Sequence, residues 1–104
     1  MSTTTSSIVF GVVAANGTIL AGSGNFSAQT TSQGVFSIGF PNVFSSTPAV
    51  VASQGGNFPQ PNNQDGAAVG LLSSTGCTII TGDNKGNFAN RQFSFVAIGA
   101  PATD

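Results

Sequence analysis

Apolar and polar residues alternate over short runs in this chain, most cleanly at residues 35–40, and we expect the fold to be organised around the last run, residues 92–99. In an extended strand, Phe93 and Phe95 would point to one side, and Val96 and Ile98 to the other. Because both sides carry apolar groups, we expect this strand to be covered on both faces. It would then lie in the middle of a sandwich or at a contact between subunits.

Further short runs of strand-forming residues precede it and are separated by turn signals such as Asn16-Gly17, which favours a tight hairpin. These runs are residues 7–13, 18–20, 25–30, 35–40, 49–53, 67–73 and 77–81. No window shows apolar residues at helical spacing together with good helix formers. The sequence therefore predicts an all-β fold, a small antiparallel β-sandwich of six to eight strands, with a jelly-roll-like barrel as the alternative.

The chain has 104 residues, which is enough for one domain. We expect a flexible Ser/Thr-rich tract at residues 1–6, a single sandwich domain at 7–100 and a tail at 101–104. Two polar loops, 54–65 and 82–91, interrupt the strands. Loops of this length are uncommon in small domains and often carry function.

Charge is scarce, because charged residues make up 5% of the chain against roughly 25% in an ordinary domain. Two basic residues cannot neutralise a row of phosphates, so nucleic acid is not an expected partner. No run approaches the ~20 apolar residues that would cross a bilayer, and the first residues lack the features of a secretory signal. Such a composition is typical of proteins that lie outside cells or on particles such as virions, or that bury much surface in assembly.

The chain has few side chains that could catalyse a reaction. The chain has no His, which removes the commonest general base and metal ligand. Asp65 and Asp83 are the one candidate carboxylate pair for a glycosidase, but each neighbours turn-forming residues and is better explained as a turn residue. The loop oxygens of Asp83, Asn84 and nearby Asn side chains could suit calcium but include too few carboxylates. We expect neither an enzyme nor a bound metal or cofactor.

Cys77 is the single cysteine, so it can form no disulfide within the chain. It lies in an apparent strand and has no His to activate it. We expect a small buried apolar residue.

The chain has more side chains suited to binding a sugar than to catalysis, because sugars are bound through amides, hydroxyls and the apolar faces of rings. The two polar loops supply these groups, including aromatic rings at Phe58 and Phe88. The predicted ligand-binding residues are Asp83, Asn84, Asn87, Phe88, Asn90, Arg91, Asn62 and Asp65.

Four stretches carry a resemblance to a known family. They are FSIGFPNVFSSTPAVV at 36–51, STGCTI at 74–79, FSFVAIG at 93–99 and GTILAGSGNF at 17–26. In order and separation the first three resemble the H-type lectins. The fourth is more similar to β-sandwich domains at the ends of phage tail fibres and of bacterial fibre-like proteins.

This resemblance implies a homotrimer that binds N-acetylgalactosamine-type sugars in clefts between subunits. The family's aromatic-polar pair falls at Asp83-Asn84, where the aromatic is missing, and a later family aromatic falls near Phe88. The family's basic residue falls around Gly70 and is absent. The resemblance therefore implies a location for the site and no sugar specificity.

Two functions follow as hypotheses. The first is a carbohydrate-binding, lectin-like adhesion or receptor-binding domain that acts as a homotrimer, with a glycan or cell-surface receptor as partner. The alternative is a structural or assembly domain of a fibre or particle with no small ligand. Apolar groups on both faces of residues 67–72 favour this alternative, because they fit sheets packed against neighbouring subunits, as in a trimer.

Overall fold

The computed structural model describes residues 5–56 and 64–102 of the chain. The described residues form eight strands in two four-stranded antiparallel sheets. The strands are β1 (Ser7–Val13), β2 (Ile19–Gly22), β3 (Ser27–Ser32), β4 (Val35–Gly39), β5 (Ala49–Gln54), β6 (Gly66–Gly70), β7 (Gly76–Gly82) and β8 (Phe93–Gly99). The prediction of a small antiparallel β-sandwich is confirmed.

Sheet I has the strand order β2-β1-β8-β5, and sheet II has the order β3-β4-β7-β6. The chain crosses between the sheets after β2, β4, β5 and β7. The strand predicted at residues 92–99 is β8, which is central in sheet I and is hydrogen-bonded to β1 on one side and to β5 on the other. Beyond β8, Ala102 donates a backbone hydrogen bond to the carbonyl of Val43, which ties the chain end to the connector before β5.

The core lies between the sheets and is rich in phenylalanine. Phe36 and Phe93 are fully buried on opposite sheets, with ring centroids 4.9 Å apart in an edge-on arrangement. Phe26 meets Phe95 in the same way at 5.1 Å, and Phe40 meets Phe44 at 5.2 Å. The period of two along β4 and β8 turns Phe36, Phe93 and Phe95 inward, as the sequences of these strands predict.

The boundaries of two predicted strands are wrong. The strand expected at 67–73 ends at Gly70, because Leu71 has a φ of 46° and leaves the extended conformation. The strand expected at 25–30 lies at Ser27–Ser32, since Asn25 instead donates a side-chain hydrogen bond to the carbonyl of Ile8. The Asn16-Gly17 turn is confirmed, with Gly17 at a φ of 91°.

Candidate functional site

One end of the sandwich gathers the charged residues of the described chain. Asp65 precedes β6, Asp83 and Lys85 follow β7, and Arg91 precedes β8. The described residues of both polar loops also lie at this end. The topology explains the gathering, since β5 and β7 end where β6 and β8 begin.

Arg91 and Gln54 tie these strand ends together. The guanidinium of Arg91 donates to the side-chain oxygen of Gln54 at 3.2 Å and to the carboxylate of Asp65 at 3.4 Å. The amide of Gln54 donates to the carbonyls of Gly66 at 3.1 Å and Gly82 at 2.9 Å. Because the Arg91 and Asp65 side chains are 33% and 18% exposed, their ion pair contributes modestly to stability.

Asp83 organises the turn after β7. Its carboxylate accepts hydrogen bonds from the backbone N–H of Lys85 at 2.8 Å and of Asn87 at 2.9 Å, and from the side-chain amide of Asn87 at 3.3 Å. The backbone bonds from Asn87 and Lys85 hold the pKa of Asp83 below its usual value of 3.8. The prediction that Asp83 is a turn residue agrees with this geometry.

The segment after that turn is held against β7 and the turn between β3 and β4. Thr81, the one fully buried polar residue of the described chain, donates its hydroxyl to the carbonyl of Ala89 and accepts the N–H of Arg91 at 3.3 Å. The side chain of Asn90 accepts the N–H of Gly34 at 2.6 Å, and Gln33 donates to the carbonyl of Phe88 at 3.2 Å. These bonds hold the backbone of Phe88 in place.

Phe88 stands beside a shallow groove of about 270 Å³ on the outside of sheet II. Its side chain is 53% exposed although its backbone is pinned. Ala68 and Ile80 form an apolar floor, and Asp83 lies at the rim. The groove is lined by Gln64, Gly66, Ala67, Ala68, Ile80, Thr81, Gly82, Asp83, Gly86 and Phe88. An exposed ring, an apolar floor and a polar rim are the ordinary features of a small-ligand site.

The predicted ligand-binding residues divide into three groups. Of those that the structure describes, Asp83 and Phe88 line the groove. Arg91 and Asp65 belong to the neighbouring ion pair, while Asn84 is exposed at the turn and the side chains of Asn87 and Asn90 hold the loop. Asn62 and the aromatic Phe58 lie outside the described residues.

Sequence reasoning missed the supporting residues and the groove floor. Gln54 and Thr81 give no sequence signal, because their roles depend on which strand ends meet in space. Ile80 did give one, since alternation with buried Ile79 places it on the outer face of β7. Ala68 lies opposite Ile80 in the register of β6 and β7 and completes the floor.

The two carboxylates and the thiol have local explanations. Asp65 pairs with Arg91, and Asp83 accepts amides of its own turn. Among the described residues no group of three His, Cys, Asp or Glu side chains could hold a metal ion. Cys77 is buried, and desolvation raises the pKa of its thiol to about 11, which disfavours the reactive thiolate.

Comparison with protein-family models, with curated proteins and with solved structures finds no significant match to this chain. The resemblance to H-type lectins therefore stays a prediction that rests on the four stretches quoted above. Within residues 5–56 and 64–102, no helix is long and apolar enough to cross a membrane.

The Asp83 turn makes a prediction about acid pH. The pKa of Asp83 is lower in the folded loop than in an unfolded chain. The ionised carboxylate therefore stabilises the fold at pH values above the unfolded-state pKa, and this stabilisation is lost as pH falls through the folded-state pKa. In an NMR titration, we expect the backbone amides of Lys85 and Asn87 to shift with a common midpoint below 3.8. Asp83→Asn should abolish that shift, and a midpoint at or above 3.8 would contradict the assignment.

Proposed function

We propose that the chain is a carbohydrate-binding, lectin-like adhesion or receptor-binding domain that acts as a homotrimer, and that the groove beside Phe88 binds a sugar ring. The observation that carries the proposal is the Phe88 side chain, half exposed above an apolar floor while its backbone is fastened on both sides. A ring held this way loses little conformational entropy when a ligand packs on it.

The chemistry of the groove favours a sugar over a fully apolar ligand. The C–H face of a pyranose packs on an aromatic ring, and its hydroxyls require acceptors at the edge. The Asp83 carboxylate offers about four acceptor positions. Three of these receive loop donors, which leaves capacity for a sugar hydroxyl.

The size of the groove supports weak binding at each site. Its volume of about 270 Å³ lies just below the roughly 300 Å³ at which ordinary small-molecule pockets begin. We therefore expect millimolar-to-micromolar affinity for one ring-sized ligand. A homotrimer would present three such grooves, and multivalent attachment raises avidity by about 10²- to 10⁴-fold without new contacts.

A glycan array probed with the intact protein tests the proposal, followed by NMR titration of the best glycan. Phe88→Ala should weaken binding about tenfold or more, because it removes the ring face on which the sugar packs. Leu71→Ala is the matched control, since it truncates an apolar side chain that is 87% exposed at the far end of β6. We expect Leu71→Ala to bind as the parent does.

Two results would contradict the sugar site. One is the absence of binding to any glycan by a protein that is folded and of known mass. The other is a Phe88→Ala variant that binds its glycan as tightly as the parent.

Asn84→Ala adds a polar probe, and weaker binding is expected because Asn84 is exposed on the same turn as Asp83.

A structural role in a fibre or particle is the second candidate function. It is favoured by a different observation, the exposed apolar side chains on the outside of sheet I, among them Phe10 and Val51. Location outside cells or on a particle surface fits both functions and is supported by the low charge of the chain.

A further inference from the structure

The outside of sheet I is apolar although it faces solvent in a single chain. Its central side chains form two rows across three strands, Ile8–Ile98–Ala49 and Phe10–Val96–Val51. Exposed fractions of 50% at Ile8, 48% at Phe10 and 69% at Val51 show that no other part of the described chain covers them. We name these six residues the sheet I apolar face.

One row on the outside of sheet II shows what a solvated surface looks like in the same protein. The row across β3, β4 and β7 there consists of Gln29, Ser37 and Thr78. An antiparallel sheet with one solvated face normally alternates apolar residues inward with polar residues outward. Sheet II follows that rule along this row, while sheet I breaks it on β1, β8 and β5. The next row of sheet II, Val35–Ile80–Ala68, is apolar and includes the groove floor, but it holds no large side chain as exposed as Phe10 or Val51.

The charges of the protein restrict what can cover the sheet I apolar face. The charged residues of the described chain lie at one end of the sandwich, and none lies on a strand of sheet I. A partner recognised by charge would find no counter-charge on this face. A second copy of the chain presents the same uncharged apolar rows, and a net charge of −1 opposes its approach only weakly.

The shape of the face also suits a packed contact. A shallow depression of about 190 Å³ opens between Val51 and Val96, next to the small side chains of Ser53 and Ser94. An apolar side chain of a neighbouring copy can enter such a depression. This is the interdigitation that produces interior-like packing density at interface cores.

The outside of sheet I is large enough to contribute to an interface. Four strands about 4.8 Å apart and up to about 20 Å long span at most roughly 400 Å² in projection, and the sheet I apolar face is the centre of this surface. Protruding side chains enlarge its accessible area. Two copies together therefore approach the ~1,000 Å² that specific interfaces bury. The largest apolar patch of an ordinary monomer is about 300–600 Å² and is itself often functional.

We infer that the sheet I apolar face is the surface through which this chain packs against further copies of itself. The inference rests on the self-assembly part of the proposed function and is independent of the sugar site. It explains why β8 carries apolar residues on both of its faces. Phe93 and Phe95 fill the core of one subunit, while Val96 and Ile98 meet the next subunit.

Val51→Glu tests the inference by adding a charge at the most exposed large side chain of the face. Each contact would then bury or juxtapose carboxylates, so we expect the dissociation constant of the assembly to rise at least about 100-fold. Light scattering coupled to size exclusion should find the parent larger than one chain and Val51→Glu at the mass of one chain. Gln29→Glu is the matched control, because it adds the same charge at an exposed site on an edge strand of sheet II. It should keep the mass of the parent.

The outcomes separate this inference from the proposed function. If the parent is an oligomer and Val51→Glu has the same mass as the parent, the proposed interface is wrong, but the homotrimer is not contradicted. A dimer that Val51→Glu dissociates supports the interface and overturns the trimer, whereas a monomeric parent overturns both. Val51→Ser guards against misfolding, since it removes the apolar contact without charge and should weaken assembly with an unchanged circular dichroism spectrum. Glycan binding by a monomeric variant would show that the sugar site stands by itself.

Discussion

Phe93→Ala should lower the free energy of unfolding by about 3–5 kcal/mol. Phe93 is fully buried at the start of β8, and its ring lies 4.9 Å from Phe36 and 6.5 Å from Phe95, measured between centroids. Truncation removes its transfer free energy and leaves a cavity that rings from two sheets cannot easily close. In a domain with a total stability of about 5–15 kcal/mol, this is a large fraction.

Urea denaturation at a fixed protein concentration measures the effect, because self-association makes apparent stability depend on concentration. In thermal unfolding, the same change should lower the Tm by about 12 °C or more. Phe88→Ala is the matched control, since it makes the same truncation at a ring that is 53% exposed. Equal losses in the two variants would contradict the assignment of Phe93 to the core.

Gly34→Ala should cost about 2–4 kcal/mol, although Gly34 lies in a turn between two strands. Its φ of 74° is in the left-handed region that disfavours side chains. A Cβ here would also lie 2.7 Å from the carbonyl oxygen of Thr81, 2.8 Å from the nitrogen of Ala89 and 2.9 Å from the Cβ of Phe88. Because two of these are backbone atoms, the segment that carries Phe88 would have to move.

Gly24→Ala separates the two causes. Gly24 has a similar φ of 82°, and a Cβ there meets nothing within 4 Å. It should therefore cost about 1–2 kcal/mol through conformation alone. We also expect Gly34→Ala, unlike Gly24→Ala, to shift the NMR signals of the Phe88 ring. Equal costs in the two variants would indicate that the close packing of Gly34 against the loop is absent in solution.

Much of the fold follows from local pattern. Alternation in β4 and β8 predicts which Phe side chains are buried, because the period of two in an extended chain admits only one inward set. The Asn16-Gly17 pair predicts the hairpin between β1 and β2, although only Gly17 of the two adopts the positive φ that such pairs favour. Strand ends were predicted less well. Leu71 ends β6 by a backbone conformation that its residue type disfavours.

The candidate site was predictable by region and only partly by residue. Polar loops of unusual length indicate where the groove lies, and the exposed ring of Phe88 is their aromatic member that the structure describes. The roles inside those loops were not predictable. Asn87 and Asn90 have the side chains of sugar-binding residues, yet both stabilise the loop itself. An Asn side chain carries the same donor and acceptor groups whether it binds a sugar or stabilises a loop, and only its neighbours in space distinguish the two roles.

Sequence alone predicts the class of fold, the inward-facing rings of β4 and β8, and the absence of charge from most of the surface, but not the burial of Phe44 in the connector before β5. These properties are local or additive, so they can be read from period, residue type and count. The three-dimensional arrangement of the strands is needed to see that Gln54 and Arg91 join four strand ends. It is also needed to see that one exposed face is shared by Ile8, Phe10, Val51, Val96 and Ile98. Those groupings depend on which strands are hydrogen-bonded and in what register, which is set by the packing of the whole chain.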